Sequence, residues 1–257
     1  MKSVSAIRKD ASNALKGYWG IAMLMILICF AIHFISRLST VLYIVAIIFL
    51  LFPLWLGATK AFLNLAKQVE KPSLKTLFAG FSGEWYLKSV ELYLLKWVYT
   101  TLWGLLFIIP GVIKYLAFSQ STYIALENPH LTASEVLDES ERMMKGHKWQ
   151  LFWLNLPYWI SQAFIVALIA LPVALLILCI FGGVLSLVFP PIGAALALIS
   201  GGAFHIYVII FPVIIIIAVI LWVFINTLKE MARAKFYEEV KASQPTPNAA
   251  PESEVAA

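Results

Sequence analysis

With 257 residues, 61% of them hydrophobic and 13% charged, and a mean hydropathy of +0.87, the chain has half the charge of a soluble domain, which carries about 25%. Its net charge of +5 does not point to nucleic acid, because the basic residues flank apolar runs instead of forming a stripe. Two cysteines, Cys29 and Cys179, sit inside apolar runs without CxxC spacing, which excludes a disulfide framework or a thiolate metal site. The expected fold is all-α, a polytopic transmembrane helical bundle in one membrane domain over residues 1–242, with about six spans, both termini cytoplasmic and anionic lipid headgroups as partners.

Residues 1–18 read as a basic amphipathic helix on the membrane surface, with Ile7, Ala11, Ala14, Leu15 and Tyr18 on one face and Arg8, Lys9, Ser12 and Lys16 on the other. Two spans follow at 19–36 and 38–59, joined by a tight turn near Arg37. From Lys60 to Lys88 the composition turns polar, with five lysines and a Lys71-Pro72 break, and predicts a loop with short surface helices. The third span, 89–109, is ended by Pro110-Gly111, and 112–127 returns. If that return crosses, 16 of the 19 Lys and Arg lie on the side of the N-terminus and only Arg37 lies clearly outside, the bias that orients inner-membrane proteins.

Between Glu127 and Lys148 the residues predict a polar helix over 132–145. It opens on a Thr132-x-x-Glu135 capping box, is laced by Asp138 to Arg142 and Glu141 to Lys145 pairs, and is closed by Gly146. Its less polar face, Val136, Leu137, Ser140, Met143 and Met144, is expected on the bilayer or on the Lys60 to Lys88 loop. The 80 residues from Trp149 to Leu228 hold no Asp, Glu, Lys or Arg. They begin and end on the cytoplasmic side, so they contain an even number of crossings: 149–181 and 203–228, with 182–202 a re-entrant or interfacial hairpin or, alternatively, two extra short crossings. Residues 243–257, Pro-rich and poor in apolar side chains, predict a disordered tail.

No HExxH, GxSxG or P-loop occurs, and no catalytic, cofactor or metal residue is assigned. Lys96 and Lys114 fall inside predicted spans, where a charge costs at least about 2.5 kcal/mol and needs compensation. Either they snorkel to an interface or they line a cavity with Glu91 or Glu127 as counter-charge. Nine tryptophans and ten tyrosines, several beside cationic segments, read as an interfacial belt.

The chain also resembles a known family. The likeness rests on Ile7-Arg8 and Ala14-Leu15-Lys16-Gly17-Tyr18-Trp19-Gly20, on Gly80-Phe81, and on Leu102-Trp103 through Ile109-Pro110-Gly111-Val112-Ile113-Lys114. It continues in Asn128-Pro129 with Leu131-Thr132-Ala133, in Ser140 and Met143 through Trp149, in Leu151-Phe152, and in Ala234-Lys235-Phe236-Tyr237. These blocks are similar to the DUF975 family of bacterial integral membrane proteins. The resemblance implies six spans with both termini inside. It departs after Phe152, where Leu156-Pro157-Tyr158-Trp159-Ile160-Ser161 replaces the usual block. The family's function is unknown, so an architecture is implied and no activity.

The expected role is that of a non-enzymatic protein of the bacterial cytoplasmic membrane that binds lipid or a partner membrane protein, of stress or bacteriocin-immunity type. Lipid or substrate contacts are expected at Lys96, Lys114, Arg8, Lys9 and Lys16, and a partner surface at Val136, Met143, Met144, Gly146, His147, Lys148 and Trp149. The alternative is a transporter or lipid translocator with helices broken at Pro110, Pro157, Pro172 and Pro212 lining a path. A third reading, an intramembrane enzyme, would use His147 with Glu127 or Glu141 as acid and base.

Overall fold

The computed structural model describes the backbone of residues 1–188 and 190–244, with side chains described for these except 171, 172, 175, 176 and 178–210. Every regular element among the described residues is helical. Among the described residues, four helices are long and apolar enough to cross a bilayer: Trp19–Ser36, Thr40–Ala66, Lys148–Ala170 and Phe211–Ala242. In a medium without water each backbone N–H and C=O must be satisfied within its own segment, and such apolar runs meet that demand as helices.

Helix α1, Val4–Ala14, opens where the Ser3 hydroxyl accepts from the Ala6 N–H at 3.3 Å and closes before Gly17 at φ +84°, the left-handed conformation glycine adopts without steric cost. Its stripe of Ile7, Ala11 and Leu15 is fully buried. The expectation that this face lies on the membrane is therefore corrected: a protein surface covers it. The Arg8 guanidinium donates to the backbone carbonyls of Trp153 and Leu154. Pro157 stands four residues beyond Trp153 and has no N–H for that carbonyl, so Arg8 supplies a hydrogen bond the helix cannot make for itself. At the surface Lys2 and Asp10 pair at 2.8 Å, which raises the ammonium's pKa and lowers the carboxyl's.

Helix α2, Trp19–Ser36, is followed after the turn at Arg37 by α3, Thr40–Ala46, a π-helical turn Ile47–Leu51, and α4, Phe52–Ala66. The helix passes the expected end at Thr59 because α4 is the centre of the core, with Leu54, Ala58 and Ala61 packed on Met25 and Cys29 of α2 and on Leu77. Leu77 belongs to the short helix α5, Leu74–Leu77, which with a 3-10 turn at Phe78–Phe81 lies directly on α4. Two glycines permit that approach. A Cβ on Gly57 would stand 1.8 Å from the Leu77 carbonyl oxygen, and one on Gly80 2.0 Å from that of Pro53.

Helices α6, Gly83–Leu106, and α7, Ile108–Ala117, form a hairpin whose only non-helical residue is Phe107, extended at φ −158°. The chain breaks earlier than the expected Pro110-Gly111. A proline ring clashes with the carbonyl four residues back but is tolerated in a helix's first turn, so α6 stops at Leu106 and Pro110 sits in the opening turn of α7. A Cβ on Gly111 would lie 2.7 Å from the Gly104 Cα, so the helices touch backbone to backbone. The tip is apolar and bare, with Phe107, Ile108 and Ile109 more than 70% exposed. Neither element is among the four long apolar helices: Glu91, Lys96 and several aromatic residues lower the hydropathy of α6, and α7 has ten residues.

After a 3-10 turn at Phe118–Gln120 come α8, Ser121–Glu127, and α9, Ala133–Met143. The capping box forms as expected. Thr132 accepts from the Glu135 N–H, the Glu135 carboxylate accepts from the Thr132 N–H at 2.8 Å, and these bonds hold the Glu135 carboxyl below its ordinary pKa. The apolar face of α9 is covered neither by bilayer nor by the Lys60 to Lys88 loop. It packs on α6, α7 and α8, with Val136, Leu137, Ser140 and Met143 buried and the Ser140 hydroxyl donating to the Ala117 carbonyl at 2.7 Å. Glu141 pairs with Lys114 instead of Lys145, and Arg142 with Glu139 instead of Asp138.

Helix α10 spans Lys148–Val188 and α11 Pro190–Ala242. The 182–202 stretch expected to break is helical up to Val188 and again from Pro190, so α10 ends and α11 begins inside it. Two compact units result. One comprises Met1–Asn155 with the described chain from Thr227 to Gln244, and the other Leu156–Asn226. Within the second, Gln162 donates to the Asn226 side-chain oxygen at 2.9 Å and Asn226 donates to the Trp222 carbonyl. Apart from Ser243 and Gln244, the expected tail lies outside the described residues, as do the side chains of Cys179 and His205.

Candidate functional site

Lys96 lies on the face of α6 that looks into the first unit. With no apolar partner able to satisfy it, the chain surrounds it with polar atoms from four other elements. Helical spacing puts Phe52, Trp55 and Thr59 of α4 on one wall and Tyr93 one turn before Lys96 on another. Ser119 with Thr122 and Tyr123 of α8 forms a third wall, and Lys229, Glu230 and Arg233 of α11 the fourth. The cavity so enclosed measures about 330 Å³, within the range of about 300–1,000 Å³ usual for small-molecule sites.

The hydroxyls are ordered by local bonds. Thr59 donates to the Trp55 carbonyl at 2.8 Å, Ser119 to that of Leu116 at 2.7 Å, and Thr122 to the Tyr93 hydroxyl at 3.4 Å. The Tyr93 ring is fixed by stacking on Phe52, centroids 5.3 Å apart. The charges are not balanced. Glu230 is the one carboxylate among the lining residues and stands 3.6 Å from both Lys229 and Arg233, beyond the 2.7–3.2 Å of a formed N–H···O bond. The buried Arg233 Nε has no partner. Lys96 makes no hydrogen bond or ion pair with any described residue, and neither Glu91 nor Glu127, its expected counter-charges, reaches it.

Glu127 is engaged elsewhere. It accepts from Lys67, from Lys241 at 2.6 Å and from the Tyr237 hydroxyl at 2.5 Å, tying the ends of α4, α8 and α11 together. The Tyr237 ring stacks on Tyr123 at 5.0 Å and so braces one cavity wall. Lys114 is satisfied. Both oxygens of Glu141 accept from it, at 2.9 and 2.7 Å, and its ammonium lies over the Trp103 and Phe118 rings at 5.3 and 5.5 Å. Its expected counter-charges are replaced by Glu141. No hydrogen bond or ion pair joins either carboxylate, Glu127 or Glu141, to His147 among the described residues.

Of the other expected lipid contacts, Arg8 is bonded into α10 while Lys9 and Lys16 remain exposed. The expected partner surface divides. Val136, Met143 and Met144 are buried in the fold, which corrects that expectation, because the apolar stripe of α9 is spent on α6 to α8. Gly146, at φ +82°, and Trp149, 66% exposed and stacked on Phe152 at 5.1 Å, stay at the surface, with His147 and Lys148 half-buried beside them. Among the described residues no group of three His, Cys, Asp or Glu side chains could hold a metal ion.

The family described as protein of unknown function (DUF975) matches residues 1–118 and 105–244, nearly the whole chain. The chain belongs to the DUF975 family. No curated protein and no solved structure matches it. In this DUF975 chain the matched stretches include every residue that lines the cavity. Glu230 and Arg233 went unpredicted because they follow Leu228 and read as part of a basic flank. An acid and an arginine at i,i+3 spacing in that flank were the available signal.

Proposed function

We propose that this DUF975 protein is a non-enzymatic, multi-pass protein of the bacterial cytoplasmic membrane that binds an anionic lipid. The observation that carries this reading is the cavity around Lys96, where three cations face one carboxylate inside a bundle with apolar outer surfaces. An uncompensated charge in such surroundings is costly, and an anion from the surrounding membrane removes the cost. A partner membrane protein is less favoured than lipid because Val136, Met143 and Met144 of the expected partner surface are folded inward.

The test is mass spectrometry of the protein extracted in its native membrane patch. Stoichiometric retention of an anionic lipid is the expected result. Retention of a second protein with no such lipid would replace lipid binding by an accessory-subunit role, and retention of neither would overturn both.

A further inference from the structure

The anion that suits the cavity can be specified from its charges and donors. Three lining cations, Lys96, Lys229 and Arg233, against Glu230 leave a formal charge of +2. A carboxylate or a phosphodiester brings one negative charge, whereas a phosphomonoester brings about 1.5 to 2 and three strong acceptor oxygens. Arg233 offers a planar fork that matches phosphate oxygens in pairs. Its Nε is buried without a partner, and Glu230 at 3.6 Å is too distant to saturate the guanidinium. Lys96 adds a point charge with no hydrogen bond or ion pair to any described residue. Tyr93 accepts from Thr122 and also meets the Thr59 hydroxyl, so its phenol belongs to the polar wall of the cavity. Phe52 and Trp55 give the same cavity an apolar wall.

We propose that this cavity is a seat for a phosphomonoester-class oxyanion, held between the Lys96 ammonium and the Arg233 guanidinium, with any attached apolar chain lying along Phe52 and Trp55. The proposal rests on the lipid-binding reading and narrows it. Two sources supply this chemistry, the headgroup of a phosphatidic-acid-type lipid and free phosphate.

The experiment uses the full chain in nanodiscs of phosphatidylcholine, titrated in one arm with inorganic phosphate and in the other with phosphatidic acid. Bound ligand is read by native mass spectrometry and by the ³¹P resonance. The wild type is expected to bind, Lys96→Met to bind about tenfold or more weakly, and Lys96→Arg to stay within about threefold of wild type. Binding in the phosphatidic acid arm alone, or in both arms, supports the seat with a lipid as its source. Binding of phosphate alone supports the seat and overturns the lipid reading. Equal phosphatidic acid binding by wild type and a folded Lys96→Met overturns the seat while lipid binding survives elsewhere. No binding by the wild type in either arm overturns the seat. Arg233→Gln, expected to weaken binding by a similar factor with Lys96 intact, gives a second reading should Lys96→Met not fold.

Discussion

Two lysines of the α6–α7 hairpin raise the same difficulty in the sequence and meet opposite fates in the fold. Lys114 is closed off, with both Glu141 oxygens on its ammonium and two aromatic rings beneath it. Lys96 is held open, in a cavity where the nearby carboxylate is already shared by Lys229 and Arg233. An intramembrane charge by itself marks an energetic problem. Whether it marks a binding site depends on whether the fold solves that problem internally. At Lys114 it does, and the lysine is a structural clasp between α7 and α9. At Lys96 no described residue supplies a hydrogen bond or ion pair, which is the premise of the proposed seat.

The contrast predicts opposite signs for one substitution. Lys114→Met strands Glu141, a half-buried carboxylate, beside aromatic rings, and is expected to cost about 2 kcal/mol, less than the 3–5 typical of fully buried pairs because 22–31% of the two side chains remains exposed. The double variant Lys114→Met with Glu141→Leu is expected to recover most of that loss, since neither charge remains. Thermal unfolding in detergent checks both. A double variant no more stable than the single would show that the ion pair is not what joins α7 to α9.

Lys96→Met in the absence of ligand is expected to leave stability unchanged or to raise it by about 1 kcal/mol, because it removes a charge that has no partner and adds apolar volume. A loss of 2 kcal/mol in the same unfolding assay would mean that Lys96 is satisfied within the fold, and the comparison with Lys114 would collapse. Tyr237→Phe sharpens it at a smaller scale. Removing one of three hydrogen bonds to Glu127 is expected to cost about 1 kcal/mol. The phenyl ring retains its stacking on Tyr123, so ligand binding at the cavity should persist.

The parts legible in the sequence were those governed by local chemistry. The four long apolar helices follow from uninterrupted hydropathy, and the α9 capping box from Thr132 and Glu135 at the required spacing. The two orphan lysines were visible as charges in apolar runs. Their surroundings were not, because the Glu141 that pairs with Lys114 lies 27 residues away and the Glu230 and Arg233 that line the Lys96 cavity lie far along the chain, and no periodicity relates positions that meet only through tertiary packing. The same limit misassigned two amphipathic faces. Ile7, Ala11 and Leu15 of α1 and Val136 and Met143 of α9 have the pattern of surface helices, and an apolar stripe does not say whether lipid or protein covers it. Arg8 shows how a long-range bond overrides a local reading: its charge suggests a headgroup, yet the carbonyl left unpaired by Pro157 takes it.

The smallest effect concerns the helix that supplies the Lys114 clasp. Glu135 is bonded through its charged carboxylate to the Thr132 N–H and hydroxyl, which lowers its pKa below that of the unfolded chain. Its contribution is therefore complete above the unfolded value, about 4.3, and is lost as the pH falls through the lower folded value. Acidification from pH 6 to pH 3 should thus loosen the first turn of α9 before the last. Amide exchange should rise at Ser134 and Glu135 while Met143 and Met144, at the other end of the helix, stay protected. Glu135→Gln, which keeps a side-chain acceptor without the titratable charge, should abolish that pH dependence. If exchange instead rises together along all of α9, the helix opens as one unit and the capping box does not govern its first turn.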